Sequence, residues 1–166
     1  MKLRMLQVKD APFMLEWMHD MSVVGTLKAD FTKKTLSDCE SFIREAQDTK
    51  ENLHLAVVNE EDEYQGTVSL KHIDGVRAEF AIALRKAAMG GGYSGYATRE
   101  ILRIAFDELK LGSVYWCVSG ENERAVRFYD KNGYQRVDGK SLNCCQGYTE
   151  EEIENYLWYQ VVKQQG

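Results

Sequence analysis

A chain of 166 residues, 44% apolar and 28% charged, is sized for one globular domain, residues 1–166, with a core of its own. Its net charge of −5 argues against a nucleic-acid partner, which calls for a basic face. No apolar run nears the ~20 residues of a membrane helix, and residues 1–6 lack the apolar stretch and cleavage site of a signal peptide. No membrane partner and a cytoplasmic location are therefore expected. Cys39, Cys117, Cys144 and Cys145 show neither paired CxxC spacing nor neighbouring histidines. They read as reduced thiols rather than metal ligands, with Cys117 in the core.

Residues 2–8 read as a first strand. Asp10 then caps a helix with Pro12 in its first turn, and Phe13, Met14, Trp17 and Met18 form its core-facing stripe. Residues 20–31, with Asp20, Lys28 and Asp30 around Val23 and Val24, read as a loop near a substrate. Ser37 opens a second helix with a capping box, and Phe42, Ile43 and Ala46 give it an apolar side.

Residues 53–58, 64–73 and 77–84 follow as antiparallel strands. The charged run 60–63 and the pair Asp74-Gly75 mark their turns. A long helix begins near Tyr93 or Ser94, buries Ala97, Ile101, Leu102, Ala105 and Phe106, and stops at Gly112. The nearly all-apolar run 114–118 is a strand buried on both faces. Asn122 caps another helix, which Asn132-Gly133 ends. Residues 134–137 make a short strand, Thr149 to Glu152 a capping box, and residues 156–162 the last strand. The order is that of an α/β fold with a mixed sheet.

The chemistry concentrates in residues 79–111. There a strand feeds Gly90-Gly91-Gly92-Tyr93-Ser94, and that cluster opens a helix. Glycine allows a tight turn with close approach of its amides, and a helix N-terminus adds unpaired N–H groups and partial positive charge. A pyrophosphate-bearing ligand suits such a loop. A dinucleotide-binding doubly wound fold does not fit, because its glycine fingerprint follows the first strand of a parallel sheet.

With these residues in place the chain resembles the GNAT superfamily of N-acetyltransferases. The likeness rests on the glycine loop, on the helix end Ala105-Phe106-Asp107-Glu108-Leu109, and on Asn122, Ala125, Tyr129, Gly133 and Tyr134 at the family's spacing. Met89 stands where the family carries Arg or Gln, which removes one polar contact to the phosphates, and Ser94 replaces a small closing residue. The resemblance implies a mostly antiparallel mixed sheet splayed at the cofactor site and flanked by helices. It implies acetyl-CoA as co-substrate and a primary amine, small molecule or peptide, as acceptor, and it leaves a homodimer open.

In such a fold the backbone of Ile82, Ala83 and Leu84 pairs with the pantetheine arm. The pyrophosphate lies on the loop from Met89 through Gly90, Gly91, Gly92 and Tyr93 to Ser94, with Lys86 as a nearby cation, and Asn122 meets the amide arm. Tyr129 is then the general acid for the departing thiolate, against the simpler role of a packed helix tyrosine. Glu79 is the candidate base, against that of a surface strand charge. His72, in the strand before Asp74, is a candidate for the acceptor cleft, against the simpler role of a structural strand histidine. The first ~35 residues and residues 140–155 would wall the acceptor site, as specificity tends to reside outside the rigid scaffold. A non-catalytic acyl-CoA binder of the same fold is the alternative reading.

Overall fold

The computed structural model describes residues 1–143 and 147–164. Cys144 and Cys145 lie outside the described residues. The elements are β1 (Lys2–Met5), α1 (Ala11–Met18), α2 (Met21–Val24), α3 (Leu36–Glu45), β2 (Leu53–Val58), β3 (Tyr64–Lys71), β4 (Arg77–Leu84), α4 (Tyr93–Arg103), β5 (Ser113–Val118), α5 (Glu123–Lys131), β6 (Gln135–Val137), α6 (Glu150–Asn155) and β7 (Leu157–Val162). The strands form one sheet in the order β1-β2-β3-β4-β5-β7-β6. Every ladder is antiparallel except β4 with β5. No helix among the described residues is long and apolar enough to cross a membrane.

Strand alternation gives the sheet two different faces. On one, Val68, Leu70, Ala78, Phe80, Val114 and Trp116 pack with Ala97, Ile101 and Ala105 and with Tyr129 of α5. On the other, α1 and α3 cover Ala56 and Val58 through Met14, Trp17, Cys39 and Ile43. Farther along that second face, Tyr115 and Trp158 pack with Leu142. Glu79, between Ala78 and Phe80 in β4, therefore faces away from α4 and α5.

Several ends differ from their sequence-based positions, each because a stronger partner is present. Asp10 precedes α1, but its side chain makes no cap bond. Its carboxylate is held by both terminal nitrogens of Arg4 at 2.8 Å and by the Gln7 amide at 2.8 Å, which ties β1 to the helix start. The cap of α3 is Thr35 with Asp38, two residues before Ser37. The long helix passes from α4 into a π turn, Ile104–Glu108, where the Leu109 amide donates to the Ile104 carbonyl. Lys110 (φ 58°) reverses the chain there, and Gly112 instead donates to the Val76 carbonyl at 2.7 Å. Cys117 is only half-buried and faces Tyr148 at 3.4 Å.

Candidate functional site

The sheet opens along β4. Its parallel ladder with β5 covers Arg77, Ala78 and Glu79 and ends at the pair Glu79 and Tyr115. From Phe80 onward β4 keeps β3 on one side and, among the described residues, has no strand on the other. The Arg85 amide donates to Gln65 of the β3 side at 2.9 Å. By alternation of an antiparallel ladder, Ala83 bonds to Thr67, and the backbone groups of Ile82 and Leu84 point into the gap. Two of the three residues expected to meet an extended ligand thus present free strand edge.

Two buried side-chain atoms have no hydrogen-bond partner among the described residues, and both belong to residues at the end of the β4–β5 ladder, where the gap begins. One is Oε1 of Glu79, the last paired residue of β4. The other is Nε1 of Trp116, the residue after the last pair on β5. Buried polar groups are seldom left unsatisfied, so a ligand that passes the apex finds an acceptor on one face and a donor on the other.

The glycine loop lies beyond the far end of β4. Gly90 and Gly92 are in the left-handed region, φ 84° and 85°, and Gly92 is the N-cap of α4. The Gly91 amide is used by the Ala88 carbonyl, and Tyr96 donates to Gly92. The amides of Gly92, Tyr93, Ser94 and Gly95 make no backbone hydrogen bond among the described residues. They form the anion-binding turn of a helix start. Met89 adds no polar atom near them. Two guanidiniums flank the loop instead. Arg124 Nη2 comes within 3.8 Å of where a Cβ on Gly90 would sit, and Arg99 Nη1 within 3.0 Å of that on Gly95.

Asn122 caps α5 by accepting from the Ala125 amide at 3.3 Å. Two turns on, Tyr129 is 6% exposed, with its ring 5.3 Å from Trp116, 5.1 Å from Tyr159 and 6.4 Å from Phe80. Burial, reinforced by Tyr159 and Tyr134, pushes its phenol well above the ordinary range, so it stays protonated.

Glu79 is on the opposite face and only 2% exposed. Its Oε2 accepts from the Tyr148 hydroxyl at 2.7 Å, and Lys71 Nζ stands 3.8 Å from the same oxygen. His72 Nε2 is 3.8 Å from Oε1, and His72 has a left-handed backbone (φ 55°). Burial, then Cys117 and Glu79, raises the Tyr148 phenol far above its usual range, which keeps it a donor to the carboxylate. Lys28, from the loop after α2, stands over the Tyr148 ring at 5.4 Å. The sequence-predicted acid and base thus flank the gap from its two sides.

Residues 1–135 match the family described as "Acetyltransferase (GNAT) domain". The chain belongs to the GNAT acetyltransferase family. A spermidine N(1)-acetyltransferase of Escherichia coli (strain K12) is 34% identical over 89 residues, 52% of this chain and 47% of that protein. The chain's match thus spans about half the length of the curated relatives. Among solved structures, the spermidine N-acetyltransferase from Vibrio cholerae in complex with CoA and spermine has a TM-score of 0.78. It is 18% identical over 97% of this chain and 94% of that one. A GNAT-family acetyltransferase from Bacillus anthracis has a TM-score of 0.73 at 20% identity, covering 96% and 93%. At these identities the likeness is one of fold: the open, mostly antiparallel GNAT sheet with flanking helices.

Three residues of this GNAT site escaped sequence reasoning. Tyr148 lies in a polar link with no periodicity, and only the fold brings it to Glu79. Trp116 reads as a plain core residue until the ladder's end is known. Arg124 carried a detectable signal, a cation two residues after the capping Asn122.

Proposed function

We propose that this chain transfers the acetyl group of acetyl-CoA to a primary amine of a polyamine such as spermidine, with Tyr129 as general acid and Glu79 as general base. The observation that carries this reading is the end of the β4–β5 ladder at Glu79, with a protonated phenol on one face and a buried carboxylate on the other. The spermidine N-acetyltransferases among its relatives support the acceptor class.

The residues fit the co-substrate on the chain's own geometry: a free strand edge, a glycine turn with open amides and two guanidiniums beside it. Acetyl-CoA supplies an acyl group activated as a thioester. Ile82 and Leu84 hold the pantetheine arm as an added strand. Gly92 to Gly95, with Arg124 and Arg99, hold the phosphates.

The chemistry then divides between the two faces. Glu79 takes the proton of the incoming ammonium through a water, leaving a neutral nitrogen with its lone pair. That nitrogen bonds to the thioester carbon, the carbon–sulfur bond breaks, and the nitrogen gives up its second proton to solvent as the amide forms. Tyr129 gives its proton to the departing thiolate and is reprotonated from solvent. The sum is an N-acetylamine, free CoA thiol and one proton released. The high Tyr129 pKa keeps the donor loaded at any working pH.

The test is thiol release from acetyl-CoA by the purified chain with a panel of amines that includes spermidine, spermine and simple alkylamines. Turnover with spermidine supports the reading. CoA binding with no turnover on any amine contradicts it and points to an acyl-CoA-binding protein.

A further inference from the structure

The loop after α2 delivers a primary ammonium to the acceptor face. Lys28 Nζ stands 5.4 Å from the centroid of the Tyr148 ring and 3.5 Å from Glu152 Oε2. The other end of the same tyrosine donates to Glu79 Oε2 at 2.7 Å. One tyrosine side chain therefore separates an ammonium position that is filled from a buried carboxylate whose Oε1 has His72 Nε2 at 3.8 Å but no hydrogen-bond partner among the described residues.

An aromatic face beside a carboxylate recognises an alkylammonium head, through the ring quadrupole and a charge-assisted contact. Lysine is itself a primary amine on an alkyl chain, the chemical likeness of one arm of a diamine. Its side chain is 41% exposed, so displacing it exposes little apolar surface. Lys71, 3.8 Å from Glu79 Oε2, already answers part of the inner carboxylate's charge, so the inner end takes one acceptor ammonium and the outer end, at Glu152, is left to receive the other.

We propose that the Tyr148 face and the Glu152 carboxylate form a subsite for the distal ammonium of a di- or polyamine acceptor, and that Lys28 fills it in the free protein until the acceptor displaces it. This rests on the acetyl-transfer reading above. An acceptor bound there has one nitrogen at Glu79 and the other at Glu152. A monoamine gains nothing from the outer end. Lys28 sets a threshold, because only a ligand that replaces both of its contacts competes with it.

Diaminobutane and butylamine separate the two ends. Glu152→Gln removes the charge and keeps the capping box with Thr149, where glutamine serves equally. Its KM for diaminobutane is expected to rise about three- to tenfold, with kcat and the KM for butylamine within about twofold of wild type. Lys28→Met is expected to lower the diaminobutane KM about threefold, since the subsite is then free. Equal changes for the two amines, or none for either, overturn the subsite. If the wild type releases thiol with no amine, the acetyl-transfer reading has failed on its own terms. Calorimetric titration of diaminobutane then decides the subsite separately: tighter binding to Lys28→Met and weaker binding to Glu152→Gln support it, and equal affinities of all three proteins overturn it.

Discussion

The Tyr148 hydroxyl donates a 2.7 Å hydrogen bond to Glu79 Oε2, joining the link just before α6 to the last residue of β4 that still has β5 beside it. Tyr148→Phe removes this donor and keeps the ring, so the carboxylate loses the hydrogen bond that holds it at the end of the ladder. The kcat/KM for the amine should fall, while acetyl-CoA affinity stays near wild type. Glu79→Gln should lower turnover mainly at low pH, where the acceptor is an ammonium and needs a base. A wild-type pH–rate profile in Glu79→Gln would remove Glu79 from the proton path.

The phosphate turn depends on Gly92. At φ 85° a β-branched residue is strained, and its side chain would stand in front of the open amides. Acetyl-CoA should raise the melting temperature of the wild-type protein, because it binds the folded state. Gly92→Val should lose that shift. A shift of the same size in the variant would place the phosphates elsewhere.

In the proposed site Arg124, beside Gly90, takes the cationic part that Met89 cannot play. Arg124→Ala should weaken CoA binding about tenfold, roughly one charge-assisted contact, and leave kcat at saturation near wild type. Titrations at two salt concentrations check this. The deficit should shrink as salt screens the contact, and equal affinities at low salt would exclude a role for Arg124.

Stability should fall in mild acid because of His54. Burial, with Lys71 adding, pushes its imidazole down from 6.5 to about 4, and its Nδ1 lies 2.6 Å from Ser69 Oγ. Between those two values the unfolded chain takes up a proton that the folded one refuses. Stability therefore declines as pH drops from about 6.5, by on the order of 3 kcal/mol at pH 4. His54→Gln, which offers Ser69 a partner without titrating, should flatten this part of the profile. Urea melts at pH 7, 6 and 5 measure it. An unchanged slope would mean that other groups cause the loss.

Local signals were legible wherever one residue type decided the outcome. Strands β2 and β4 have the bounds their apolar patterns predict, because turn residues flank both. Asn122 and Thr149 cap the helices their spacing announces. Reading failed where a distant partner outbid a local one. Asp10 looks like a cap, yet Arg4 claims its carboxylate. The reversal after α4 falls on Lys110, because Gly112 is drawn to Val76. α2 is four residues long, too short to show a period. At the site, the glycine turn and Tyr129 are visible in the sequence because they occupy one continuous segment. The partners of Glu79 come from two segments far apart in the chain, Lys71 with His72 and Tyr148, and only the folded sheet assembles them.

The most direct measurement of the central claim is kcat and CoA affinity of Tyr129→Phe, side by side. The hydroxyl makes no hydrogen bond among the described residues, and the ring packs against Trp116 and Tyr159. Its removal should therefore leave stability and CoA binding nearly unchanged. General acid catalysis contributes ~10²–10⁴-fold in rate, so kcat should fall by that much. A kcat within about threefold of wild type, with the variant folded and binding CoA, would contradict the account: too small a loss for general acid catalysis, it would leave Tyr129 as packing alone.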